Sequence, residues 1–242
     1  MVHNYKVIVA YDGSAYHGWA KQGDTPTIQN IIEQTLSRLL NEKIIINGSG
    51  RTDAFVHAYN QVFSFKTKND MNRLSLIKSL RSMLPNDIVI KSIKLMPSDF
   101  HARFKAKSKE YIYKICTNSK DPFANKYNLI YNKKLNLNKM KKASKLFIGE
   151  HDFLSFSISE IDDTIRTIKS IKFKKEKKIM SISFIGTGFL RAMVRMLVGS
   201  LLDYNENKKS LDTIVYLLNN PKKGSAITKV RASGLYLNKV KY

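Results

Sequence analysis

The stretch "GSGRTDAFVHAYNQ" (48–61) sets Arg51, Asp53 and His57 among glycines and small residues, with no helical apolar period. A carboxylate in such a loop has two uses. It bonds its own backbone, as turn aspartates commonly do, or it attacks an electrophile from a fixed position. The loop alone favours the turn. A second residue alters the balance. In "FLRAMVRMLVGSLLDY" (189–204), Phe189, Leu190, Met193, Val194, Met196, Leu197, Val198, Leu201 and Leu202 make a helix apolar nearly all round, so it is expected to be buried. Arg195 lies in its middle, with Arg191 one turn earlier. A buried guanidinium requires a charge partner, unless its long stem carries it to the surface. The pair is the preferred reading, and no acid precedes Asp203 on that helix, so the carboxylate comes from elsewhere. A carboxylate beside an arginine stays ionised, as a nucleophile requires.

Tyr111 and Tyr113 alternate along a strand and share one face. They serve either as core aromatics or as a platform for an extruded base. Just before them, "HARFKAKSKEY" (101–111) interleaves His101, Arg103, Lys105, Lys107 and Lys109 with Phe104. That mixture suits a phosphate track, although a solvated linker has a similar composition. His3, His17, His57, His101 and His151 are scattered and Cys116 is the only cysteine, so neither a zinc site nor an internal disulfide is indicated. "GTGF" (186–189) lacks the third glycine of a dinucleotide fold, and no G-x-x-x-x-G-K-[ST] loop occurs.

These residues need a scaffold, and the chain's length allows one large domain or two modest ones. With 42 Lys and Arg against 19 acidic residues, the formal charge is +23, spread along the chain. Abundant lysine can reflect codon bias, but this excess favours a polyanionic partner through counterion release. No apolar run approaches a membrane span and the amino terminus enters a strand at once, so a cytoplasmic protein is expected.

Strand patterns at 5–13, 42–48, 60–66 and 86–96 alternate with two helices. The first helix is expected from Thr25 as cap and Pro26 at its first position; the second starts at an Asn/Asp cap near 69–72 and stops before Pro85. The order is β-α-β-β-α-β, a ferredoxin-like unit. A strand at 109–117, a helix at 137–149 ended by Gly149, strands at 164–173 and 177–186, helices at 189–204 and 210–220 and a last strand at 234–242 repeat it. "GEHDF" (149–153) reads as a helix end and a turn. The expectation is an α+β protein of two similar ferredoxin-like βαββαβ halves, 1–105 and 106–242, with a groove between their sheets where a ligand could sit.

"GRTDAFVHA" resembles the G-R-T-D-x-G-V-H-A signature of the tRNA pseudouridine synthase A family. "YDGSAYHGW" (11–19), "FHARFKAKSKEYIYKI" (100–115), "GEHDFLSF" (149–156), "GTGFLRAMVRMLVG" (186–199) and the terminal "GLYLNKVKY" resemble its further blocks, in its order, over essentially the whole chain. The resemblance implies two ferredoxin-like halves forming one extended sheet with a central basic cleft, and isomerisation of uridine to pseudouridine at positions 38, 39 and 40 of the tRNA anticodon stem-loop, by a homodimer without cofactor or metal. Asp53 would be the nucleophile, Arg51 would help to extrude the target nucleotide, Tyr111 would stack on its base, and Arg195 would pair with Asp53. Arg51, His57, Arg103, Lys109 and Tyr111 make up the expected substrate-binding set. Three positions depart from the pattern. Phe55 stands where the family usually has glycine, and a backbone needing positive φ would be strained there. Ala20 replaces a commonly seen glutamine, and Ser233 alters the last block. The alternative is a non-catalytic protein that binds structured RNA; a metal-dependent nuclease lacks a carboxylate cluster around Asp53.

Overall fold

The computed structural model describes residues 2–117 and 120–242. The chain divides into two compact units: residues 1–107 with Tyr236–Tyr242, and Ser108–Leu235.

In the first unit, β1 (His3–Tyr11), α1 (Ile28–Leu40), β2 (Ile46–Gly48), β3 (His57–Thr67), α2 (Arg73–Met83) and β4 (Ile88–Met96) follow the expected order. β1 lies between β3 and β4, antiparallel to both, and β2 pairs with β3, which gives the ferredoxin-like order β4-β1-β3-β2. β3 is long enough for two partners on one side. β2 covers Phe63–Phe65, and β10 (Leu235–Lys241) runs parallel to its first residues, with Tyr236 opposite His57 and Leu237 opposite Ala58. The last strand, expected from the sequence at 234–242, thus pairs with β3 through Tyr236 and Leu237.

Alternate residues Tyr5, Val7, Val9 and Tyr11 of β1 are buried, as are Ile28, Ile32 and Leu36 along one stripe of α1 and Leu76 and Leu80 of α2. Period-2 and period-3.6 patterns meet in one core. A smaller cluster joins Val62, Phe100 and Ala102 to Ile8, Met96, Val240 and Tyr242, and the Tyr242 hydroxyl donates to the Ala102 carbonyl at 2.8 Å. Helix starts shift slightly from expectation. Thr27, not Thr25, occupies the N-cap position of α1, without a side-chain capping bond, while Thr25 bonds the Gln22 carbonyl in the preceding turn. Asn72 caps α2, accepting from the backbone of Leu74 and Ser75.

The second unit contains β5 (Ser108–Thr117), α3 (Pro122–Tyr127), β6 (Leu129–Tyr131), α4 (Leu137–Ser144), β7 (Gly149–Asp152), β8 (Ile165–Glu176), β9 (Ile179–Gly186), α5 (Met193–Asn205) and α6 (Leu211–Asn219). β5, β9, β8 and β7 pair antiparallel in that order, and β6 lies parallel to β5. The segment expected to be a turn, 149–153, is therefore largely the edge strand β7, because Gly149–Asp152 find partners in Ile165–Ile168. Among the described residues no helix is long and apolar enough to cross a membrane.

The C-terminal end of α5 is fastened to β6 by charge. Glu206 accepts from the Tyr131 hydroxyl at 2.9 Å and from Lys133, and pairs with Lys208 at 2.9 Å. The lysine contacts hold its carboxyl at about 2, against an ordinary 4.5. A depressed carboxyl stabilises the fold above its unfolded pKa and loses that contribution as pH falls through the folded value. Glu206→Gln is therefore expected to cost about 1–2 kcal/mol at neutral pH, discounted because both lysines are largely exposed. It should also flatten the loss of stability between pH 4.5 and 2. Denaturant midpoints measured across that window check both effects.

Candidate active site

The loop from Gly48 to His57 is clamped at three places. At its start, the Ser49 N–H donates to the Val62 carbonyl at 2.7 Å, and the Ser49 hydroxyl donates to Gln61 Oε1 at 2.7 Å. Gln61 Nε2 returns a bond to the Gly50 carbonyl at 2.9 Å. In the middle, Thr52 Oγ1 lies 2.8 Å from the Tyr11 hydroxyl at the end of β1, and the Thr52 carbonyl accepts from Trp19 N at 3.1 Å. At the far end, Phe55 N donates to the Tyr16 carbonyl at 3.3 Å. The segment 12–19 lies directly on the loop. A Cβ on Gly13 would sit 2.1 Å from the Val56 carbonyl oxygen, and one on Gly18, at φ +92, would sit 2.6 Å from that of Thr52. Only glycine permits this approach, which gives a physical reason for "YDGSAYHGW" and "GRTDAFVHA" to occur together.

Asp53 opens a β-turn. Its carbonyl accepts from Val56 N at 3.2 Å, and of the two central residues only Phe55 has positive φ, at 66°. That is the type II pattern, which asks for glycine at the third position. The strain expected at Phe55 is present, at about 1–2 kcal/mol for a side chain in left-handed backbone. Asp53 is half-buried, and Arg51 and Phe55 are exposed.

His57, expected among the substrate contacts, is 2% exposed. Its Nδ1 lies 3.1 Å from both Gly13 N and Asp12 Oδ1, and its ring stacks on Tyr236 at 4.7 Å. It braces the Asp12–Gly13 turn from inside. Arg103 is exposed, its guanidinium 5.8 Å from the Phe104 ring, which lies 4.4 Å from His101. The aromatic and basic residues of 101–105 thus cluster in the first unit.

The second unit holds the other candidates. Tyr111 and Tyr113 are both buried on one face of β5. Tyr111 meets Phe189 edge-on at 5.1 Å, while the Tyr113 hydroxyl donates to the Arg231 carbonyl at 2.8 Å. Lys109 is half-buried on the same strand, opposite Gly186. α5 is buried along nearly its whole length, as its apolar sequence requires. It starts at Met193 rather than 189, because Ala192 turns the chain through φ +62. Arg191 therefore stands outside the helix, its N–H bonded to Ser159 Oγ at 2.9 Å. Arg195 stays within the helix and is half-buried, its Nε donating to the Val230 carbonyl at 2.8 Å. Asp203, the acid on the same helix, pairs with Lys209 at 2.8 Å.

The supports of the loop, Tyr11, Gly18, Thr52 and Gln61, were not singled out from the sequence. Gln61 carried a usable signal, as an amide in a strand whose neighbours Val62, Phe63 and Phe65 are apolar. It is fully buried. Gln61→Leu leaves the Ser49 hydroxyl and Gly50 carbonyl without their partner, at an expected cost of about 2–3 kcal/mol. Equilibrium unfolding gives the stability change, and a wild-type midpoint would show that these bonds do not hold the loop.

Among the described residues, no group of three or more His, Cys, Asp and Glu side chains is placed to hold a metal ion. A sequence model of the family described as "tRNA pseudouridine synthase" matches residues 7–105 and 143–242. The chain is 46% identical over 240 residues to a protein of Malacoplasma penetrans named tRNA pseudouridine synthase A, covering 98% of this chain and 99% of that one. It is 41% identical to the protein of that name from Mycoplasma genitalium, over 98% of both chains. With the one from Bacillus sp. strain KSM-64 it shares 39% identity over the full length of both.

Proposed function

The chain belongs to the tRNA pseudouridine synthase family, and from that premise we propose that it isomerises uridine to pseudouridine at positions 38, 39 and 40 of the tRNA anticodon stem-loop, with Asp53 as nucleophile. The family is one of isomerases acting on tRNA. The observation that carries the assignment of Asp53 is its loop: the family's signature residues lie on a segment clamped through Ser49, Thr52 and Phe55, with the aspartate at the head of a tight turn. A nucleophile gains from such fixation, since a reacting group already in position avoids the entropic cost of finding it.

In the proposed reaction the bond from uracil N1 to the ribose breaks while Asp53 attacks the ribose or the base. The freed uracil turns, C5 bonds the ribose carbon, the bond to Asp53 breaks, and the proton lost from C5 is matched by one gained at N1. Substrate and product have the same composition, and no oxidant or group donor is consumed. Arg195 is the proposed charge partner of Asp53. Arg51 helps to extrude the nucleotide, and Tyr111 stacks on its base and is a candidate for taking the C5 proton. Arg103 and Lys109 bind phosphates. The formal charge of +23 supports a polyanionic substrate. The enzyme is proposed to act in the cytoplasm as a homodimer.

The C5 proton gives a direct assay. Unmodified tRNA transcribed with tritium at uracil C5 should release tritium to water in proportion to pseudouridine formed. Tight tRNA binding without release would favour the non-catalytic RNA-binding alternative.

A further inference from the structure

Phe55 combines three properties that folding does not explain. It occupies the third position of a type II turn at φ +66, where glycine would carry no strain. Its side chain is 51% exposed. It also follows the proposed nucleophile by two residues, on a segment held by backbone bonds at Thr52, Phe55 and Val56. An exposed aromatic held in strained backbone points to a use outside the fold. An RNA loop offers such a ring the flat faces of unpaired bases, and base–aromatic stacking tolerates any sequence. Resting on the functional reading above, we propose that Phe55 is a base-contacting residue, stacking on an unpaired nucleotide next to the target uridine.

The assignment separates π-stacking from apolar bulk and from backbone relief. Phe55→Leu keeps bulk and strain but removes the aromatic face. Phe55→Gly removes the ring and relieves the turn, so its Tm should rise by about 1–4 °C. Phe55→Tyr keeps the face. The test uses a synthetic anticodon stem-loop RNA carrying 2-aminopurine beside the target uridine, whose fluorescence falls when the base stacks on an aromatic ring. Wild type and Phe55→Tyr should quench it on binding, and the Leu and Gly variants should not. Both of these should also bind about tenfold more weakly, or more. Equal quenching and affinity for Phe and Leu, with normal product from wild type, would overturn the stacking role alone. Wild-type protein that makes no pseudouridine in the same preparation would overturn the functional reading and this assignment with it.

Discussion

Asp53→Asn is expected to abolish pseudouridine formation, by about 10⁴-fold or more, as when other covalent nucleophiles are removed. The substitution is nearly isosteric. The turn it heads is closed through the backbone, from Val56 N to the Asp53 carbonyl, so the loop should survive the change. Binding of tRNA should be kept or tightened, because a negative charge beside a polyanion has been removed. Thermal unfolding, tRNA affinity and tritium release from one preparation separate these effects. Activity near wild type would remove Asp53 from its assigned role. Loss of activity accompanied by unfolding would instead return it to the part of a structural turn residue.

Arg195→Met carries the second large effect. Methionine is long and apolar enough to fill the path of the arginine stem along α5, where the surrounding residues are buried. It loses the bond from Nε to the Val230 carbonyl, which should cost about 1–2 kcal/mol of stability. If Arg195 is the charge partner of Asp53, kcat should also fall by about 10²–10³-fold, the equivalent of an ion pair lost at the reacting group. Arg195→Lys tells the two contributions apart: it restores positive charge without the guanidinium fork. Partial recovery of kcat with no recovery of stability would support the pairing. A purely structural arginine would change stability in both variants and leave kcat untouched.

Where structural information is local, the sequence alone carries it. The alternation of β1, the stripe on α1 and the Pro85 stop after α2 come from patterns confined to one segment, and the structure repeats them. The strain at Phe55 was also legible, because the need for positive φ is a property of one residue in one turn. What was hidden depends on distant partners. β7 is a strand because residues 165–168 lie beside it. β10 finds a parallel partner in β3, far back in the chain. The apolar run at 189–192 reads as helix, but Arg191 is held outside it by Ser159. The same limit applied to the site. Asp53 and Arg51 stood out by type and motif, whereas Gln61, Thr52 and Tyr11 matter through bonds that spacing does not reveal. His57 is likewise buried against Tyr236, a neighbour far along the chain.

The most direct measurement of the central claim is to incubate the wild-type protein with unmodified tRNA and map pseudouridine by carbodiimide modification and primer extension. An isomerisation leaves the mass unchanged, so the position must be read chemically. New stops at positions 38, 39 or 40, absent with Asp53→Asn, are the predicted result. A protein that binds tRNA tightly and leaves those uridines unmodified would contradict it.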